Sequence, residues 1–156
     1  MKDLRVRLIR LFKEGYCAPQ IGRIAKELEE PSATIHYNIK KLEREGAIKA
    51  YKAVFDYGKV DEGFCAYVLI SLSPDEFATP EKVAEDLARH AEVESADIIA
   101  GDWEIIVKVR ARDQEGYFDF LKNVISKERG IMRSNSIVSL KQVKTEFVQM
   151  ISPPPG

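Results

Sequence analysis

Polar and basic side chains recur at helical spacing in one stretch of this chain, residues 32–46. Ile35, Ile39 and Leu42 fall at i, i+4 and i+7, so a helix here has one apolar side. The other side carries hydroxyl, imidazole and ammonium groups, on Thr34, His36, Tyr37, Lys40 and Lys41. Such groups hydrogen-bond base edges and neutralise phosphates. The pattern predicts a helix with a nucleic-acid-reading face, capped by Ser32 and ended by Gly46.

Two shorter amphipathic patterns precede this helix and must position it. The first has an apolar stripe between Leu4 and Phe12 and ends at Gly15, and the second opens at Pro19. Because short helices cannot bury their stripes alone, we expect all three to share one core. Its predicted members are Leu8, Leu11, Phe12, Ile21, Ile24, Leu28, Ile35, Ile39 and Leu42. The second and third helices are joined by few residues and form a helix-turn-helix.

In a helix-turn-helix the last helix enters the major groove of DNA. We predict base contacts from Thr34, His36 and Tyr37. Contacts to the backbone or to base edges are predicted from Gln20, Ser32, Lys40 and Lys41. The alternative is a solvated charged face on a three-helix cluster that never meets DNA. His36, a lone histidine, is expected to be an exposed polar residue rather than a metal ligand or a catalyst.

Composition bounds the class of protein. The 156 residues are 45% hydrophobic, enough for a core and for two small domains. Net charge is -1, yet residues 1–56 carry 12 Lys and Arg against 8 Asp and Glu, and the remainder carries 12 against 17. Only the first part is therefore expected to meet a polyanion. Neither a signal peptide nor a membrane span is recognisable, so we expect a cytoplasmic protein. Cys17 and Cys65 predict neither a zinc site nor a disulfide.

The second part of the chain changes period. Residues 47–56 are rich in β-formers and predict a strand, and residues 57–62 predict a turn-rich break. Strands are predicted at 64–72, 93–100, 103–111 and 132–143, and helices begin at Thr79–Pro80 and at Asp113. Gly101–Asp102 predicts a tight turn. We therefore expect an α+β chain with these domains: 1–46 helix-turn-helix (winged-helix-like), 47–62 β-strand connector, 63–147 βαββαβ ferredoxin-like sandwich, and 148–156 tail.

Both helices of such a sandwich cover the same side of the sheet. The first strand is apolar on both sides, with Val68 and Ile70 on one and Tyr67 and Leu69 on the other. A sheet face that is uncovered but too apolar for water predicts burial against a second copy. The sequence thus predicts a homodimer formed largely by the C-terminal domains.

The chain resembles the Lrp/AsnC family of leucine-responsive, or feast/famine, transcription regulators. The resemblance runs from about Asp3 to Val143. It is carried by IAKEL followed by SATIHYNIKKLEREGAIKAY, by GDWE at 101–104 and by GIMRSNSIVSLKQVK at 130–144. It implies a dimeric DNA-binding regulator whose dimers often join into octamers and whose C-terminal domains bind an amino acid at interfaces between dimers.

The resemblance also implies effector-binding residues, which are Gly101, Asp102, Trp103, Glu104, Ser134 and Ser136. Backbone amides and serine hydroxyls can hold a carboxylate, and Asp102 or Glu104 can meet an ammonium group. The family loop usually ends in aspartate and its last strand usually has threonines, which leaves the identity of the effector open. The alternatives are a plain hairpin turn at 101–102, ordinary strand serines and a tryptophan that anchors a core or an interface.

Two other functional classes remain as alternatives. One is an architectural protein that coats DNA without sensing a ligand. The other is an enzyme built on the sandwich domain. No nucleophile and base set, metal-ligand spacing or phosphate-binding glycine loop supports it, so we predict no catalytic residues, no metal and no cofactor beyond the amino-acid effector.

Overall fold

A computed structural model describes residues 4–75, 79–146 and 148–149. The chain divides into two compact units between Val54 and Phe55, inside the predicted connector 47–62. The first unit contains three helices: α1 (Leu4–Lys13), α2 (Ile21–Glu27) and α3 (Ser32–Arg44). The helix-turn-helix predicted from the apolar spacing is therefore present as α2 and α3.

The ends of these helices test the predicted caps. Gly15 and Gly46 have φ of 94° and 71°, the left-handed conformation that favours glycine after a helix. Ser32 was expected to cap α3, but the N-cap is Pro31, whose φ of -60° and ψ of 139° are extended. The Ser32 cap is thus wrong, because helical geometry already begins at that residue.

The predicted core of the first unit is only partly formed. Ile35 and Ala25 are buried, and Ile21, Ile24 and Ile39 are half-buried. The helix α1 has no buried residue. Five predicted core members are exposed: Leu8, Leu11, Phe12, Leu28 and Leu42. The predicted central core is wrong for these five, since α2 has only two turns with which to cover its neighbours.

Residues 47–56 form no strand, which corrects the predicted β-strand connector and its wing. A strand needs hydrogen bonds to a neighbouring strand. Within the described residues these β-formers have no such neighbour, so propensity alone does not make them a strand. A short 3₁₀ turn follows at Tyr57–Lys59.

The second unit has the predicted βαββαβ order. It contains β1 (Phe64–Leu72), α4 (Pro80–Ala88), β2 (Val93–Ile98), β3 (Ile105–Ala111), α5 (Gln114–Asn123) and β4 (Ile131–Val138). The four strands form an antiparallel sheet in the order β2-β3-β1-β4. This is the ferredoxin-like arrangement, and the α+β fold class is confirmed.

The end of the chain differs from the expected single long strand. The strand β4 ends at Val138, and a hairpin of β5 (Lys144–Thr145) and β6 (Val148–Gln149) follows. Residues 148–149 belong to the predicted tail 148–156, and residues 150–156 lie outside the described part of the chain.

One face of the sheet packs under the two helices. Val68 and Ile70 of β1, Val107 of β3 and Leu87 of α4 are fully buried, and Phe120 of α5 is 2% exposed. These side chains alternate along each strand, so every second residue of β1 and β3 enters this core. The core predicted for one face of β1 is confirmed.

Capping residues position both helices over this core. The predicted cap of α5 is confirmed, because Oδ1 of Asp113 accepts a hydrogen bond from the backbone N–H of Gly116 at 2.9 Å. Thr79 occupies the N-cap position of α4 but makes no side-chain cap bond. Pro80 is the first residue of that helix, where its fixed φ is tolerated.

The other face of the sheet is expected to be uncovered, but the chain itself covers part of it. Here Tyr67 and Leu69 are half-buried, whereas Cys65 and Ser71 are buried. One end is covered by the chain itself, since Oγ1 of Thr145 in β5 lies 3.3 Å from Nζ of Lys108 in β3. The premise of an uncovered face is therefore wrong at this end and holds only around Tyr67 and Leu69. Among the described residues, no helix is long and apolar enough to cross a membrane.

Candidate nucleic-acid interface and effector site

The helix α3 presents the predicted reading face to solvent. Ile35 is 7% exposed and fixes the inner side of the helix. Tyr37 is 61% exposed, and the other predicted contact residues of the helix are exposed as well: Ser32, Thr34, His36, Lys40 and Lys41. Gln20, the residue before α2, is also exposed. The side chains that sequence reasoning assigned to DNA are thus accessible to it.

Ion pairs along α3 reduce the charge of this face. Nζ of Lys40 lies 2.7 Å from Oε2 of Glu43, and the hydroxyl of Tyr51 donates to Oε1 of the same carboxylate at 3.1 Å. The hydrogen bond that Lys40 donates to this carboxylate lowers the pKa of Glu43 and raises the pKa of Lys40. Lys41 and Glu45 form a looser pair at 3.9 Å. Each predicted phosphate-binding lysine therefore has an acidic neighbour in the free protein.

Two exposed arginines of the helix-turn-helix were missed by sequence reasoning. Arg44 lies seven residues after Tyr37, so two turns of helix bring it to the same side of α3. Arg23 is exposed on α2. The spacing of Arg44 from Tyr37 was the signal that could have identified it. Asn38, in contrast, donates its side-chain amide to the backbone oxygen of Thr34 at 2.9 Å and is engaged within the helix.

The GDWE loop (residues 101–104) connects β2 to β3 and is wider than the predicted tight turn. The backbone N–H of Ile99 donates to the carbonyl of Glu104 at 2.9 Å, so residues 99–104 close the hairpin. Gly101 has a φ of 140°, a conformation that side-chain-bearing residues rarely adopt. Asp102 is exposed at the tip. The loop therefore holds one carboxylate in solvent at the end of the sheet.

Glu104 is tied to the sheet rather than held out for a ligand. Its backbone N–H donates to the carbonyl of Ile70 at 3.0 Å, and its Oε2 accepts from the backbone N–H of Leu72 at 2.8 Å. This second bond gives the backbone N–H of Leu72 a partner at the point where the register between β1 and β4 shifts, between Ser71 and Leu72. Of the two carboxylates that the sequence offered for an ammonium group, Asp102 is the one left accessible.

Trp103 contacts an arginine that sequence reasoning missed. The guanidinium carbon of Arg133 in β4 lies 4.5 Å from the centre of the Trp103 ring, a cation–π contact. Arg133 is exposed, so its charge faces solvent beside the GDWE loop. The contact joins distant parts of the sequence, and only the pairing of β1 with both β3 and β4 brings them together.

The two serines lie on the helix-covered side of β4. Ser134 and Ser136 are opposite Ile70 and Val68 in the register, whereas Arg133 is opposite Ser71 on the other face. The buried hydroxyl of Tyr117 in α5 donates to Oγ of Ser136 at 2.6 Å. Burial raises the pKa of Tyr117, so this donor stays protonated. Among the described residues, no hydrogen bond links these serines to the GDWE loop.

A helix-turn-helix with an exposed reading helix, followed by a ferredoxin-like unit, defines a class of two-domain DNA-binding regulators. Comparison with known proteins narrows this class, because the Lrp/AsnC ligand binding domain family matches residues 65–148. The chain belongs to the Lrp/AsnC family of transcriptional regulators. The resemblance seen in the sequence is thereby confirmed.

Relatives and solved structures agree with this assignment. An HTH-type transcriptional regulator of Pyrococcus horikoshii is 34% identical over 141 residues, covering 90% of this chain and 93% of its own. The regulator FL11 of Pyrococcus abyssi is 28% identical over 144 residues, 92% of each chain. AsnC of E. coli has a TM-score of 0.70 at 19% identity, over 95% of this chain and 98% of its own.

One structural neighbour was solved with an amino acid. A transcriptional regulator of Neisseria meningitidis, in complex with L-Met, has a TM-score of 0.72 at 17% identity and covers 93% of each chain. At such identity the likeness concerns the fold. Both of these relatives are described as HTH-type transcriptional regulators.

Proposed function

We propose that this chain is a sequence-specific DNA-binding transcriptional regulator that reads the major groove with the exposed face of α3. The observation that carries the proposal is the separation of that helix into a buried side at Ile35 and an exposed side at Tyr37. Thr34, His36 and Tyr37 reach base edges, and Lys40 and Lys41 bind phosphates. Gln20 and Ser32, at the starts of α2 and α3, contact the backbone or base edges. Because a transcriptional regulator must share a compartment with the DNA it binds, the proposal supports the expected cytoplasmic location.

The assigned roles are tested by comparing one base-reading substitution with a control. Tyr37→Ala should reorder the preferred sequences in a selection from random DNA, because it removes a contact made to bases. Tyr16→Ala serves as the control, since Tyr16 is also well exposed but lies between α1 and α2, before the two helices of the motif. If Tyr37→Ala weakened binding to every sequence alike, its assignment to base reading would be wrong.

We further propose that the chain acts as a homodimer or larger assembly. The half-buried Tyr67 and Leu69 on the sheet face not covered by helices support this step, because apolar surface of this kind is stabilised by a second copy. A two-fold dimer should bind palindromic sites whose half-sites are separated by whole helical turns. Sedimentation at micromolar concentration that gave only monomer would contradict it.

The assembly is proposed to respond to an α-amino acid at the GDWE loop. In this proposal Asp102, which is exposed, meets the ammonium group, and the loop amides with Ser134 and Ser136 supply donors for the carboxylate. The L-Met complex of the Neisseria regulator supports an amino acid as the class of ligand. Because the serines lie on the helix-covered face, a complete site needs groups from more than this loop.

A thermal-shift screen of the twenty amino acids, combined with sizing of the assembly, tests this step. A specific amino acid should raise the unfolding midpoint and change the size of the assembly. Asp102→Ala should abolish both effects, while Asp119→Ala, on the exposed side of α5, should retain them. No response to any amino acid, with salt-dependent binding of little sequence preference, would favour the architectural protein instead.

A further inference from the structure

The chain that follows the reading helix turns back towards it. The backbone N–H groups of Ala47 and Ile48 both donate to the carbonyl of Leu42, at 3.0 and 3.2 Å. These bonds reverse the chain at Gly46, whose φ of 71° is the left-handed conformation of a helix end. We call residues 47–54 the linking segment. It belongs to the first unit, and the chain continues from it directly into the second unit.

Tyr51 holds the linking segment between two helices of the first unit. Its hydroxyl donates to Oε1 of Glu43 in α3 at 3.1 Å. Its carbonyl oxygen passes close to the turn after α1, since a Cβ added to Gly15 would lie 3.4 Å from it. Burial and the bond to the carboxylate raise the pKa of Tyr51, so the hydroxyl remains a donor at neutral pH.

The carboxylate that Tyr51 contacts lies among side chains assigned to DNA. His36, Lys40 and Glu43 fall at i, i+4 and i+7 and therefore form one line along α3. Nζ of Lys40 lies 2.7 Å from Oε2 of Glu43, so each oxygen of this carboxylate has its own donor. The side chain of Glu43 is 29% exposed and that of Lys40 is 56% exposed. The carboxylate is thus the more enclosed member of the pair.

The two bonds to Glu43 have different consequences when DNA approaches. A phosphate that binds Lys40 must displace the carboxylate, because two anions otherwise share one ammonium group. A glutamate held only by an exposed lysine is weakly restrained and can rotate into solvent. The hydroxyl of Tyr51 also holds Oε1, and this bond persists when Lys40 turns away. Tyr51 therefore makes the carboxylate harder to displace.

We propose that Tyr51 is a positioning residue that keeps Glu43 on Lys40 and thereby lowers the affinity of α3 for DNA phosphates. The linking segment is the covalent connection between the two units, so a change that draws it away from α3 would release Glu43 and free Lys40 for DNA. This inference rests on the proposed role of α3 in DNA binding and adds an element that restrains it.

Tyr51→Phe tests the inference, because it removes the hydroxyl and keeps the ring. Fluorescence anisotropy of the full chain with labelled duplexes of unrelated sequence should show affinity raised about two- to threefold on each, the scale of one weak hydrogen bond. In a Glu43→Gln background the same change should have no such effect, since no charged competitor remains. Tyr16→Phe, which removes an exposed hydroxyl from the same unit, is the matched control and should bind as the wild type does.

The sign of the effect decides between two roles for the hydroxyl. Unchanged affinity in Tyr51→Phe, or an equal gain in the Glu43→Gln background, would overturn the inference. Weaker binding would overturn it too, because the hydroxyl would then prepare Lys40 for a phosphate. If the wild type binds DNA and one of these results is found, only this inference fails. A wild type that binds no DNA would refute the proposed function as well.

A second measurement needs no DNA. Titration of the Glu43 carboxyl carbon by NMR should give a higher pKa in Tyr51→Phe than in the wild type, because one hydrogen bond to the charged form is lost. Tyr16→Phe should leave this pKa unchanged. An unchanged value in Tyr51→Phe would show that the hydroxyl does not hold the carboxylate, and the inference would be wrong.

Discussion

Replacing Lys40 tests how the reading helix meets the DNA backbone. If its ammonium binds one phosphate, Lys40→Ala should lower the slope of log affinity against log salt by about 0.9. Over a fourfold rise in salt concentration, the affinity of the wild type should therefore fall by a factor about 3.5 times larger than the factor by which the affinity of the variant falls. The loss at low salt should be similar on specific and non-specific DNA, because a phosphate carries no sequence information.

The ion pair with Glu43 makes the prediction sharper. The carboxylate lies 2.7 Å from the ammonium in the free protein, so it competes with phosphate for Lys40. Glu43→Gln removes this competition and keeps an acceptor for the hydroxyl of Tyr51. This substitution should tighten binding to all sequences and steepen the salt dependence. In the Lys40→Ala background the same change should have a smaller effect, since no cation remains to be released.

Fluorescence anisotropy with a labelled duplex, from 50 to 200 mM salt, measures all four proteins of this double-mutant cycle. Lys122→Ala, which removes an exposed lysine of the second unit, is the control for a general loss of charge. An unchanged salt slope in Lys40→Ala would remove Lys40 from the interface. Equal effects of Glu43→Gln in both backgrounds would show that the two side chains act independently.

Two stability predictions follow from the second unit. Leu87→Ala should lower the free energy of unfolding by about 2–5 kcal/mol, because Leu87 is fully buried, whereas Glu85→Ala on the same helix should change it by less than about 0.5 kcal/mol in urea titrations. Burial favours the neutral form of Glu94, but hydrogen bonds from Lys108 and Arg110 outweigh it and lower the pKa of this carboxyl. The charged form of Glu94 therefore stabilises the fold at any pH above the ordinary glutamate pKa of about 4.3. This stabilisation is lost as the pH falls through the lowered pKa of the folded state. Glu94→Gln should be less stable than wild type at pH 7 and should lose less further stability on acidification; identical pH profiles would contradict this linkage.

The sequence predicted most reliably the elements whose partners lie nearby. The apolar run 64–72 gave the bounds of β1, and Asp113 and Gly46 marked helix ends, because caps depend on a few adjacent residues. The order of strands and helices then restricted the sheet to few topologies. Local patterns were thus sufficient for the architecture of the second unit.

Interactions between distant residues could not be predicted in this way. The hydrogen bond from Leu72 to Glu104 spans 32 positions, and Trp103 meets Arg133 only after β1 pairs with both its neighbours. The ionic group of Glu94, Lys108 and Arg110 likewise arises from strand register. Charged residues alternating on a strand indicate a solvated face, and nothing in that pattern shows that other segments cover it.

The wrong predictions share a physical cause that supports the proposed dimer. Residues 47–56 have the composition of a strand but no strand beside them, α1 has an apolar stripe but no buried residue, and Tyr67 and Leu69 are only half-buried. In each case the sequence encodes a contact that the described residues of one chain do not make. Unmet strand propensity and unburied apolar stripes are costly in water, so they are retained most readily where another surface covers them. The proposed second copy would provide such surfaces, and a two-fold dimer would also have the symmetry that a palindromic DNA site requires.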